Sequence, residues 1–391
     1  MAEQGAQARI LCVIGTRPEA IKMAPVIAAL RKTPGLRPVV CITGQHRELV
    51  DDILSLFAIR ADFDLDLMTP RQDLVELAAR MLRAFAAVVA QVAPHLVLVQ
   101  GDTTTTLAAS LAALYRRVPL AHVEAGLRTG DLDCPWPEEA NRRVAGAIAA
   151  IHFAPTGIAR ANLLAEGVPP ERIHVTGNTG IDSLLSTLEG LKDASPLIAR
   201  LHAALPFLGP RDGVPARRLV LVTSHRRESF GAGLDEVCRA LLRLSGRRDL
   251  AIAFFLHLNP DVRDPVRRRL GGRRNIHLIE PLDYRSFVYC MSRAWLILTD
   301  SGGIQEEASV LGKPVLVLRR LSERVEGIAR GGARLVGTDR RRIVAEVDRL
   351  CDDATAYRRM SRADTTYGDG RASRRICNIL SREVMAPRSM P

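Results

Sequence analysis

The sequence predicts an α/β protein of two Rossmann-like domains, each a doubly wound parallel sheet. Three observations lead there. Short apolar runs alternate with helix-period segments along nearly the whole chain. Most of the apolar runs end in a polar turn containing Gly, Ser, Thr or Asp, as βα units do. The rhythm breaks once, at about residues 186–216, and then restarts. At 391 residues the chain can bury two cores of ordinary size.

The first series opens with residues 10–16 (ILCVIGT), which lead into a helical stretch at 19–32. Residues 37–45 (RPVVCITGQ) repeat the pattern, followed by LVDDILSLF. Residues 95–103 (HLVLVQGDT) do so a third time, followed by a helix over 107–117. The runs 119–126, 151–156 and 173–179 close the series. Residues 186–216 carry Pro, Gly and charges, and read as a helix and linker. Five more runs follow, at 218–225, 251–258, 275–281, 295–303 and 313–320, and residues 367–384 read as a Gly-punctuated turn and one more helix. The predicted domains are 1–185 and 186–368, with the 369–391 helix and tail packing back on the first. Ligands of such sheets bind at the carboxyl ends of the strands, here expected to face one interdomain cleft.

Composition narrows the function classes. Hydrophobic residues make up 47% and charged residues 25%, which excludes disordered, collagen-like and disulfide-scaffold classes. No apolar run reaches the roughly 18–20 residues of a membrane span. The polar N-terminus lacks a signal-peptide core, so a cytoplasmic location is expected. The seven cysteines are scattered, with no CxxC pair, which indicates reduced thiols and no zinc site. Net charge is +12, and only four of the 55 basic residues are Lys. Residues 1–190 hold 18 basic and 20 acidic side chains, and residues 191–391 hold 37 and 23. The positive excess therefore sits in the second half. It suits an anionic small molecule; a nucleic-acid partner is not expected, because no such module is present.

The strand ends carry the chemistry. In TDSGGIQEEASVLGKP (299–314), Ser301, Gly302 and Gly303 start a helix whose unpaired N–H groups and dipole attract phosphate. Glu306 and Glu307 lie a turn further in, where they suit ribose hydroxyls; the alternative is a capped helix with a solvated acidic face. In GTRPEAIK (15–22), Pro18 suits a helix start, and Arg17 and Lys22 add positive charge near it. Asp102 and Glu124 each end an apolar run, and Glu138 follows Pro137 early in a helix. Asp102 has the competing role of N-cap for the following helix. Several carboxylates at strand ends with no metal motif suggest proton transfer at carbon. His225, beside Arg226 and Arg227, suits an acid, a base or a donor to phosphate. His257 is a weaker instance, and His122 reads as structural. Gln45, His46, Arg47, Arg71 and Gln72 read, on their own, as surface residues.

Taken together, GTRPEAIKMAP, QGDTTTTLAASLAA, HVEAGLRTGD, PWPEEANRR, VTGNTGIDSL, SHRRESFG and TDSGGIQEEASVLGKPVLVLR resemble the non-hydrolysing UDP-N-acetylglucosamine 2-epimerases. The likeness runs from about residue 9 to residue 380. It implies a GT-B fold and reversible conversion of UDP-N-acetylglucosamine to UDP-N-acetylmannosamine, with no nicotinamide cofactor and no metal. It implies a homodimer acting on UDP-N-acetylglucosamine and UDP, with a product used in cell-surface polysaccharides. By similarity, Asp102, Glu124 and Glu138 are the acid/base carboxylates and His225 supports departure of UDP. Arg17, Lys22, Arg142, His257, Phe287, Ser301, Gly302, Gly303, Glu307 and Arg324 fall among substrate contacts. Gln45, His46, Arg71 and Gln72, with His257, match regions where some members bind a second, activating substrate molecule. Two positions depart from the family pattern: Ser224 stands where Gly is usual, and Val325 where Pro is usual. A hydrolysing 2-epimerase and a GT-B glycosyltransferase are the alternative activities.

Overall fold

Residues 7–44, 47–67, 73–209, 217–225 and 231–385 are described by a computed structural model of the chain. Gln45, His46, Arg71, Gln72, Arg226 and Arg227 lie outside the described residues. The chain divides into two units. One comprises Met1–Ser183 with Tyr367–Pro391, and the other is Leu184–Thr366. Each is built on one all-parallel sheet.

In the first unit the strands are β1 (Ala8–Ile14), β2 (Leu36–Ile42), β3 (Phe63–Asp64), β4 (Leu96–Gln100), β5 (Leu120–Val123), β6 (Ile151–Ala154) and β7 (Ile173–Val175). Their order is β3-β2-β1-β4-β5-β6-β7. The order reverses between β1 and β4, which places their carboxyl ends, and the turns after them, at the switch point where such sheets bind ligands. The second unit repeats the plan with β8 (Arg218–Thr223), β9 (Leu250–Phe255), β10 (Ile276–Ile279), β11 (Leu296–Thr299), β12 (Val315–Val317) and β13 (Ala333–Leu335), in the order β10-β9-β8-β11-β12-β13. Its switch point lies between β8 and β11.

The strands read as continuous apolar runs because both faces are covered. Val97, Leu98, Val220, Leu221, Ile297 and Leu298 are fully buried. On one face of the first sheet, Leu11, Val13, Val97 and Val99 pack with Met81, Phe85 and Ala109 of the helices Leu74–Val92 and Thr104–Tyr115. The helix Arg17–Arg31 buries Met23, Val26, Ile27 and Leu30. The helix Ala372–Met385 packs against it, with Cys377 Sγ 3.7 Å from the Val26 carbonyl, and buries Ile376, Cys377 and Leu380. Asp182 anchors the start of that helix by accepting from Ala372 N (3.2 Å), Ser373 N (2.8 Å) and Ser373 Oγ (2.5 Å). Strands β3 and β13 have no counterpart in the sequence pattern, since two and three residues are too few to show a period. The expected linker at 186–216 is largely helical as far as residue 204, in Thr179–Lys192 and Ser195–Ala204. Among the described residues no helix is long and apolar enough to cross a membrane.

Candidate active site

In the first unit three strand-end loops converge. The turn after β1 is closed by a reciprocal cap. Thr16 Oγ1 accepts from Glu19 N, while Glu19 Oε2 accepts from Gly15 N (2.9 Å) and Thr16 N (2.6 Å). The same carboxylate accepts from Thr103 Oγ1 (2.7 Å) across on the β4 loop. Glu19 is buried, which pushes its carboxyl up, while the Thr103 and Thr16 hydroxyls and the Thr16 and Gly15 N–H groups pull it back down. Gly15 admits no side chain, since a Cβ would sit 2.1 Å from Thr105 Oγ1. Glu19 thus ties the loop carrying Arg17 to the loop carrying Asp102.

Asp102 does not cap its helix. Thr103 does, accepting from Thr106 N (3.2 Å). A hydroxyl one residue later is placed for the bond, and the Asp102 carboxylate pairs with Arg142 instead. Asn141 Nδ2 donates to the Asp102 carbonyl (3.0 Å) and fixes the turn independently of the carboxylate. Arg142 is 3% exposed, and its Nη2 also reaches Glu124 Oε1 at 3.5 Å. Glu124 is 4% exposed and pairs further with Lys22 and with Asn178 Nδ2 (2.7 Å). Its backbone sits at φ 64°, a left-handed conformation uncommon outside glycine. Local strain of this sort persists where surrounding contacts over-determine it, here through Lys22, Asn178 and Arg142.

Glu138 is the first residue of the helix Glu138–Ile148. It lies one turn before Arg142, so both side chains leave the same helix face. The first unit therefore brings Asp102, Glu124, Lys22 and Arg142 into direct contact and sets Glu138 on the Arg142 face. Arg17 opens its helix, half-buried, at the next loop along. Sequence reasoning passed over Glu19, Asn141 and Asn178. All three lay in segments already singled out, GTRPEAIK, PWPEEANRR and VTGNTGIDSL, but none carried a role of its own there.

His122 sits under this site and is structural. Its Nε2 is 2.7 Å from the Gly101 carbonyl, which can only accept, so Nε2 carries the proton. Burial pushes His122 down to about 3 and its strand neighbour His152 down to about 4. Both are neutral in the fold until strong acid, whereas unfolded histidines protonate near about 6.5. Their contribution is fully present above pH ~6.5 and is lost as pH falls toward 4. At pH 5, His122 alone is expected to cost about 2 kcal/mol relative to pH 7. In urea unfolding at both pH values, His122→Asn should lose correspondingly less stability on acidification. An equal loss in both proteins would remove His122 as a source.

In the second unit, Asp300 ends β11 and is fully buried. Its Oδ2 accepts from Ser224 Oγ (3.0 Å) and His225 N (2.9 Å), and its Oδ1 faces His225 Nδ1 at 3.0 Å. The His225 ring stacks on His257, with centroids 5.8 Å apart. Ser301 is the N-cap of the helix Gly302–Val310 and makes no side-chain cap bond. Gly302 is required because the Arg324 guanidinium lies against it. A Cβ there would meet Cζ at 2.7 Å. Arg324 is 4% exposed and pairs with Glu306 (2.8 Å) and with Glu323, which also holds buried Arg319. Arg324 therefore braces the Ser301–Gly303 turn from behind. Glu307 Oε1 accepts from Tyr284 Oη (2.8 Å). Phe287, one turn along the Tyr284 helix, meets Phe255 edge-on. Val325 begins the short helix Val325–Ala329 and is exposed. Asp300 and Tyr284 were not singled out from sequence, although Asp300 stands inside the TDSGG motif.

The sequence matches the family model described as UDP-N-acetylglucosamine 2-epimerase over residues 28–381. Over 373 residues it is 53% identical to the UDP-N-acetylglucosamine 2-epimerase of Salmonella typhimurium, covering 95% of this chain and 98% of that one. The Escherichia coli protein of the same name is 52% identical over the same length and coverage. The crystal structure of UDP-GlcNAc 2-epimerase from Neisseria meningitidis bound to UDP-GlcNAc matches with a TM-score of 0.92 at 46% identity, covering 95% of this chain and 99% of that one. The Methanocaldococcus jannaschii enzyme in complex with UDP-GlcNAc and UDP matches with a TM-score of 0.85 at 30% identity, with coverages of 95% and 99%. The two parallel-sheet domains and these neighbours agree with a GT-B-like fold. The chain belongs to the UDP-N-acetylglucosamine 2-epimerase family of enzymes.

Proposed function

We propose that the protein epimerises UDP-N-acetylglucosamine reversibly at carbon 2, giving UDP-N-acetylmannosamine through elimination and re-addition of UDP. The observation that carries this reading is the pairing of Asp102 and Glu124 on one buried arginine, Arg142. Hydrogen on carbon 2 is not acidic in the intact sugar. Breaking the bond from carbon 1 to oxygen sends its electron pair onto the diphosphate and builds positive charge on the sugar, as in glycoside cleavage. A carboxylate then takes the carbon 2 proton, and that C–H pair becomes the double bond of 2-acetamidoglucal. UDP adds back to carbon 1 as a proton reaches carbon 2 from the other face.

Inversion requires acid/base groups on both faces, and Asp102, Glu124 and Glu138 supply three carboxylates. Arg142, Lys22 and Asn178 hold the first two in place, and Arg142 and Lys22 lie where they can meet the substrate as well. The turn Ser301–Gly303 takes the diphosphate on its N–H groups, Glu307 the ribose, and His225 the departing phosphate charge. Arg17, His257 and Phe287 complete the substrate contacts. No residue role calls for a metal or nicotinamide. The family likeness supports a homodimer and use of the product in surface polysaccharides, and the polar N-terminal segment supports a cytoplasmic location.

Incubation with UDP-N-acetylglucosamine in deuterated water tests the reading. NMR should show UDP-N-acetylmannosamine with deuterium at carbon 2. Free N-acetylmannosamine accumulating with UDP would make the enzyme hydrolysing instead. Intact, undeuterated substrate would overturn both readings.

A further inference from the structure

We infer that Asp300 is the positioning residue that makes His225 a proton donor toward the leaving diphosphate, and that Ser224 attenuates it. The inference rests on the reading of His225 given above. Asp300 Oδ1 lies 3.0 Å from His225 Nδ1 in ion-pair geometry, and since a carboxylate only accepts, it favours the ring form with a proton on Nδ1. In the neutral ring, Nε2 then carries a lone pair and can give nothing to a phosphate. To assist the departing UDP, Nε2 must hold a proton as well, so the working form is the imidazolium.

Asp300 favours that form in two ways. It is a charge of opposite sign in contact with the ring, and it is itself fully buried, while the ring is 36% exposed, so solvent reaches the pair only from the ring side. It also accepts from His225 N at 2.9 Å, so backbone and ring of one residue are held by one carboxylate.

Ser224 works against it. Its buried hydroxyl donates to Asp300 Oδ2 at 3.0 Å. That bond draws charge from the carboxylate and weakens its hold on the imidazolium. A glycine at 224 has no such donor. Among the described residues, His257 is stacked on the ring. A protonated His257 disfavours a second positive charge beside it, and Asp300 is the anion that offsets this.

His225 can be titrated by NMR in the intact protein, with its signal assigned by loss in His225→Gln. Asp300→Asn is expected to lower the His225 pKa by about one unit or more. S224G is expected to raise it by a few tenths. In the epimerase assay, Asp300→Asn should lower kcat about tenfold or more, with KM changed less than about threefold. Its high-pH limb should move to lower pH, and that of S224G slightly upward. An unmoved His225 titration in both variants would overturn the inference. So would a loss of kcat in Asp300→Asn with an unmoved pH limb, which marks a merely structural role. If the titrations move as expected but wild-type protein does not turn over UDP-N-acetylglucosamine, the pair stands and the activity reading fails.

Discussion

Asp102→Asn is expected to abolish deuterium exchange at carbon 2 while leaving the fold intact. The amide keeps the shape of the carboxylate and still offers an oxygen to Arg142, but it cannot take up a proton at any accessible pH. The turn itself does not depend on the carboxylate, because Asn141 Nδ2 holds the Asp102 carbonyl and Thr103 caps the helix. General acid–base catalysis by one positioned group contributes about 10²–10⁴-fold, so turnover should fall by at least about two decades. The check is single-turnover NMR in deuterated water beside near-UV circular dichroism. Near-normal exchange in a well-folded variant would remove Asp102 from the mechanism and leave Glu124 and Glu138 as the remaining pair.

Arg142→Met is expected to remove activity and stability together. The guanidinium is buried between two carboxylates, and Glu124 behind it is equally buried. Deleting one partner of a buried ion pair costs roughly 3–5 kcal/mol, because the remaining charge stays out of water without its counterion. Lys22 and Asn178 still hold one Glu124 oxygen, so the lower end of that range is expected. Urea unfolding should show the loss at pH 7. Acidification should partly relieve it, since a carboxylate deprived of its cation takes up a proton more readily. A variant with unchanged midpoint at pH 7 would show that Asp102 and Glu124 do not need Arg142 for their burial.

The fold was legible because parallel strands covered on both faces read as unbroken apolar runs, and their polar ends mark the site. VLVQGD and LAHVE announce Asp102 and Glu124 in this way. The partners were not legible. Arg142 is 40 residues from Asp102, and Lys22 is 102 from Glu124. Only the topology brings such residues together, by setting β1 beside β4 and β4 beside β5. Asp300 was hidden for another reason. Its contacts are two hydrogen bonds and one ion-pair contact to residues at the end of β8, and a buried Asp at a strand end looks the same in sequence whether it binds a ligand or another loop. The break in rhythm suggests a boundary near residue 186, and the two units pass into one another at Ser183/Leu184 and Thr366/Tyr367. The first lies inside the helix Thr179–Lys192, and continuous helical periodicity conceals it.

The helix Ala372–Met385, which packs against Arg17–Arg31, imposes an order on synthesis. The first unit contains both β1 and the helix Ala372–Met385, with the whole of the second unit between them in sequence. When the ribosome has finished residues 1–183, the loops carrying Asp102, Glu124 and Glu138 are present, but the helix Arg17–Arg31 still lacks the helix Ala372–Met385 that packs against it, and Asp182 has no helix start to accept from. The second unit is contiguous and can close in the meantime. The carboxylate site is therefore completed last, after the unit assigned to UDP has folded.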